Sequence, residues 1–128
     1  MSELSEFESL SWPEANLLEI SYCSDCLYLK IEDLVNIIPR LKYEIVEISV
    51  NGVESIHLSY RPFFDGKYQN TIPVLAQGEA VDEDTFDVFE AIARNNPFGL
   101  PEAEYYWVEC WFSATNIEIT RSGKFVYL

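Results

Sequence analysis

The sequence predicts an α+β fold: a predominantly antiparallel β-sheet of six or seven strands, built from hairpins, with one amphipathic helix packed on it. Three observations predict it. Apolar and polar residues alternate with period two in several stretches bounded by turn residues. Residues 83–95 instead carry apolar side chains at helical spacing. The chain is 48% hydrophobic and 15% aromatic over 128 residues, enough for a core in a single domain spanning 1–128.

Taken in order, residues 1–11 carry Glu3, Glu6 and Glu8 among serines and read as a loose acidic leader or a short helix. Trp12-Pro13 marks entry into ordered structure. Leu18, Ile20 and Tyr22 alternate with polar residues, Ser24-Asp25 supplies a turn, and Leu27, Leu29 and Ile31 alternate again, predicting a hairpin over 16–32. The stretch 33–41 carries no clear period and a proline, and no element is assigned to it. Val46, Ile48 and Val50, then Asn51-Gly52, then Ile56, Leu58 and Tyr60 predict a second hairpin turning at Asn51-Gly52.

Residues 61–81 read mostly as loop, with a short extended piece at Thr71–Leu75 that Pro73 confines to a sheet edge. A helix is expected over 83–95, capped by Asp82 or Asp84 and stopped by Asn95-Asn96-Pro97. Its buried stripe is Phe86, Phe89, Ile92 and Ala93, and Glu83, Asp87, Glu90 and Arg94 fall together on the opposite side as a mostly acidic back. After the link Pro97–Pro101, a strand at Glu104–Ser113 shows Tyr106, Val108, Cys110 and Phe112 on one face and Tyr105, Trp107, Glu109 and Trp111 on the other. Ile117 and Ile119 continue in extended form, and Arg121-Ser122-Gly123-Lys124 is expected to turn the chain into a last hairpin ending in Phe125-Val126-Tyr127.

Charge narrows the function classes. Eight Lys and Arg stand against 22 Asp and Glu, a net charge of −14. Such a surface repels phosphate backbones, so direct nucleic-acid binding is not expected, and the natural partner is a basic protein. The first dozen residues lack the basic and apolar regions of a signal peptide, and no apolar run is long enough for a membrane span. A cytoplasmic location is the expectation.

No catalytic motif emerges, and no enzyme activity, cofactor or metal is expected. Cys23-Ser-Asp-Cys26, with Cys110 and the lone His57, offers a conceivable zinc set or redox pair, against the plainer reading of reduced thiols in a hairpin. His57 alternates with apolar residues on its strand and has no G-x-S-x-G or comparable signature beside it. Phosphate-cradling glycine motifs are missing as well.

The acids are unevenly placed. Glu79, Asp82, Glu83, Asp84, Asp87 and Glu90 put six carboxylates in twelve residues without a cation. Together with Trp107, Glu109 and Trp111 they form the expected partner-binding set. Aromatic anchors beside carboxylates suit Lys and Arg of a partner, through cation–π contact and charge-assisted hydrogen bonds. The plainer alternatives are a solvated helix back and tryptophans covered by the helix.

The segment Ser11-Trp12-Pro13-Glu14-Ala15-Asn16-Leu17-Leu18-Glu19-Ile20, with Leu27-Tyr28-Leu29-Lys30-Ile31-Glu32-Asp33 after its turn, resembles the opening hairpin of small bacterial immunity proteins of polymorphic-toxin and contact-dependent inhibition systems. Asn51-Gly52-Val53-Glu54-Ser55-Ile56-His57-Leu58 is similar to the strand that follows in those proteins. The resemblance covers residues 11–60. It implies an antitoxin-type inhibitor that neutralises a cognate basic toxin domain, often a nuclease, by blocking its active site. The alternatives are an acidic phosphate mimic acting on a DNA-binding enzyme and a small ligand-binding domain.

Overall fold

The computed structural model describes residues 3–36, 40–78 and 87–127. The fold is mostly β, with a short helix α1 at Glu3–Ser9 and seven strands: β1 Asn16–Cys23, β2 Cys26–Asn36, β3 Lys42–Phe64, β4 Lys67–Tyr68, β5 Ile72–Gln77, β6 Asp87–Ala93 and β7 Tyr105–Tyr127. Every pairing is antiparallel except β1 with β6, so the sheet is mixed. β1 pairs β2, β2 pairs β3, β3 pairs β7, β7 pairs β6, and β6 returns to β1. Five strands thereby form a closed circuit, which removes most of the edges an open sheet would expose.

The frame of that circuit is the β3–β7 ribbon, two strands of 23 residues paired from Lys42↔Tyr127 to Phe63↔Tyr105. β3 meets β2 along its first half and β5 along its second, while among the described residues β7 meets β6 at Tyr106–Phe112. Alternation along both strands sends Val46, Ile48, Val50, Ile56, Leu58, Tyr60, Tyr106, Val108, Cys110 and Phe112 into one buried core. Phe7 of α1 joins it, edge-on to Phe89 and Phe112 with ring centroids 6.3 and 5.7 Å away. Trp12 packs on Phe7 and Phe89 and donates its indole N–H to the Phe7 carbonyl at 3.0 Å. Residues 1–11 are therefore no loose leader within their described part: α1 and Leu10 bury apolar side chains, and burial outweighs the local excess of acids.

Arg121 organises a second tie. Its Nη1 donates to Glu44 Oε1 at 2.8 Å and Asp33 Oδ2 at 3.1 Å, and its Nε lies 3.7 Å from Glu6 Oε1. Asp33 and Glu44 are 3% and 8% exposed, so they need these partners. Asp33 also accepts from the Ser11 backbone N–H, and Glu44 from that of Gly123. One guanidinium thus ties α1, β2 and β3 to β7.

Three local expectations are overturned. The helix expected at 83–95 is strand β6 over its described part, 87–93, with Phe89, Ala91 and Ala93 buried and Val88, Glu90 and Ile92 half-buried. The segment satisfies both periods, and the open edge of β7 decides for a strand by supplying hydrogen-bond partners all along it. Asn51-Gly52 is no hairpin turn: β3 runs straight through it. Gly52 takes φ +65° within the ladder, one residue before an irregularity between Val53 and Ser55, and a Cβ on it would lie 2.5 Å from Thr115 Oγ1 on β7. Glycine there serves a left-handed backbone and a close strand approach rather than a reversal. Finally, Ser122–Lys124 is a bulge within β7, opposite the step from Glu44 to Val46, and not a turn between two strands.

The first hairpin does form, with Ser24 and Asp25 both at positive φ between Cys23 and Cys26. The piece expected at Thr71–Leu75 is edge strand β5, paired only with β3. Within the described residues no helix is long and apolar enough to cross a membrane.

Candidate functional site

Residues opposite one another on antiparallel strands share a face, so the β6–β7–β3 register writes out the outer surface row by row. Val88, Trp111 and His57 form one row, Glu90, Glu109 and Ser59 the next, and Ile92, Trp107 and Arg61 the third. All but the exposed Arg61 are half-buried, while the alternate residues Phe89, Ala91, Val108, Cys110, Ile56 and Leu58 fill the core. Four of the expected site residues therefore come together: Glu90, Trp107, Glu109 and Trp111. The two glutamates stand side by side across the strands, with a tryptophan two residues away on either side of Glu109. Trp111 Nε1 donates to Glu109 Oε1 at 2.7 Å, which orients both groups.

Asp87 departs from this set. As a helix residue it would share a side with Glu90, but as a strand residue it falls on the opposite face, opposite Phe112 on β7. Partial burial, and then the charge of Glu8, raise its pKa above the usual carboxylate value. Glu79, Asp82, Glu83 and Asp84 lie outside the described residues.

A further row continues the surface. Tyr105 stacks on Phe63 with centroids 4.7 Å apart at 8°, Tyr68 meets both rings edge-on, and the Arg94 guanidinium lies 5.8 Å from the Tyr105 ring centre. Tyr105 was placed on this face by alternation within its own strand, whereas Arg61, Phe63, Tyr68 and Arg94 were not singled out in the sequence. The placement of Arg61 beside Trp107 depends on the register between β3 and β7, which no local pattern encodes. The one signal available was Arg61 itself, a cation in a strand of an acidic chain.

The cysteine and histidine set does not assemble. Cys110 is fully buried on the core face and His57 is on the outer face, although Cys110 is opposite His57's neighbour Leu58. Cys23 and Cys26 face each other across the first hairpin. Among the described residues no three His, Cys, Asp or Glu side chains cluster as metal ligands. Burial pushes the Cys110 thiol pKa far up, which holds it protonated and unreactive.

The site is thus a half-buried sheet face with an acidic middle row between two tryptophans and a cationic, aromatic border. Its carboxylates and indoles can receive basic side chains. Comparison with family models, curated proteins and solved structures finds no match to this chain.

Proposed function

We propose that the chain is an immunity protein, an inhibitor that binds a cognate basic toxin domain and occludes its active site. The observation that carries this reading is the juxtaposition of Glu90 and Glu109 on the outer face, with Trp107 and Trp111 flanking Glu109. Half-buried indoles provide rigid contact area at low entropic cost, and paired carboxylates beside them suit lysine or arginine. On a nuclease these carboxylates would occupy positions otherwise taken by nucleic-acid phosphates.

The net charge of −14 supports the same reading, because it steers a basic partner to the surface. Association should reach on the order of 10⁸ M⁻¹s⁻¹ at low salt and slow steeply as salt is added. The test is co-purification with the toxin domain encoded beside this chain. Trp107→Ala and Trp111→Ala should each weaken that complex by about 2 kcal/mol, in the range of interface hot spots. If the neighbouring gene encodes no toxin and no basic nuclease domain binds, the reading fails.

A further inference from the structure

In a chain with 22 acids, Arg61 is an exposed cation with no carboxylate within ion-pair distance among the described residues. It is nevertheless held in place. Its Nε and Nη2 each donate to Thr71 Oγ1 at 3.1 Å, which ties β3 to the start of β5. Those bonds use two of the five guanidinium N–H groups. Three remain, and two of them form the Nη1–Nη2 fork, whose spacing matches the two oxygens of a carboxylate.

That guanidinium lines a shallow pocket of about 220 Å³ whose other walls are Tyr68 and Trp107. Tyr68 is braced from behind by Phe63 and Tyr105, at 5.1 and 6.1 Å between ring centres. Trp107 is fixed in the strand between Ile92 and Arg61. Two ring walls and one oriented cation make a receptor for a flat body that bears a negative charge.

We propose that Arg61, Tyr68 and Trp107 form a carboxylate-binding subsite, in which Arg61 takes the carboxylate and the two rings pack the body that carries it. The carboxylate comes either from a free aromatic acid or from an aspartate or glutamate side chain of a bound protein. Guanidinium geometry and ring walls serve both sources. The subsite does not depend on the toxin-binding reading, since its ligand is opposite in charge to the one expected at Glu90 and Glu109.

The experiment titrates benzoate, its neutral isostere benzamide and the blocked peptide Ac-Ala-Glu-Ala-NH₂ into the full chain, following the Trp107 indole and Arg61 Nε resonances by NMR. Benzoate should shift both signals saturably and bind about tenfold more tightly than benzamide. Arg61→Gln should abolish that preference, and Arg61→Lys should retain only part of it because an ammonium lacks the planar fork. Trp107→Leu should weaken benzoate and benzamide alike. Saturation by the peptide as well assigns the carboxylate to a protein side chain, and saturation by benzoate alone assigns it to a free acid. Equal binding of benzoate and benzamide, an unchanged preference in Arg61→Gln, or no saturable shift overturns the proposal. Trp107 belongs to both surfaces, so the two readings are told apart by Arg61→Gln, which removes the carboxylate preference, and by Trp111→Ala, which weakens the toxin complex and lies outside the subsite.

Discussion

Glu90 of β6 and Glu109 of β7 sit directly opposite each other on one face of the sheet. Like charges in that position oppose folding. Glu90→Gln should therefore stabilise the isolated protein by about 0.2–1 kcal/mol, measured as a higher urea midpoint at low ionic strength. The gain should shrink in 1 M salt, where the Debye length falls to about 3 Å. The same variant should weaken binding to a basic partner, so stability and affinity should move in opposite directions.

Gly52 tests the close approach of β3 to β7. Alanine there must take φ +65° and bring its Cβ within 2.9 Å of Thr115 Cβ as well as 2.5 Å of Thr115 Oγ1. Gly52→Ala should cost about 1–3 kcal/mol in chemical denaturation. Adding Thr115→Gly should return the steric part of that loss but not the backbone part. Full recovery would show that the left-handed conformation is not required.

Arg121 is the cation of a nearly buried acid pair, and its own side chain is 36% exposed. Arg121→Met should leave Asp33 and Glu44 without their counter-ion and destabilise the fold by about 2–3 kcal/mol, less than for a fully buried pair. Neutralising the acids at the same time, as Asp33→Asn and Glu44→Gln, should recover much of the loss. Thermal melts of the single and triple variants check this.

Asp87 supplies a pH dependence. Its pKa in the folded chain is raised above the ordinary 3.8, so the folded state holds the proton more tightly than the unfolded state does. The ionised form therefore costs stability at neutral pH, and that cost disappears as pH falls through the raised pKa towards 3.8. Asp87→Asn should raise the melting temperature at pH 7, with the difference from the parent chain closing in acid. An advantage that persists unchanged to pH 3 would assign the effect to something other than ionisation.

What the sequence made legible follows from how far apart partners lie. The β1–β2 hairpin was readable because Ser24-Asp25 and both its strands are contiguous. The face carrying Trp107, Glu109 and Trp111 was readable for the same reason, since alternation within one strand needs no knowledge of neighbours. The helix expected at 83–95 was not, because Phe89, Ile92 and Ala93 fit a helical stripe as well as Phe89, Ala91 and Ala93 fit a strand face. Only the distant β7 breaks that tie. Asn51-Gly52 misled in the same way, since a left-handed glycine suits a close crossing of two long strands as well as a hairpin. Arg61 entered the candidate site through register alone.

The long β3–β7 ribbon also bears on how the chain is made. β3 leaves the ribosome well before its partner β7 has been synthesised; β2 and β5 pair with one edge of it, at Lys42–Asn51 and at Ile56–Tyr60. Until β7 arrives, its other edge, with the alternating apolar residues from Ile56 to Tyr60, is able to pair with a neighbouring chain. Pairings this distant also form slowly, on a timescale of milliseconds to seconds. During that wait a strongly acidic chain repels its own copies, so the excess of carboxylates guards the unfinished molecule against aggregation.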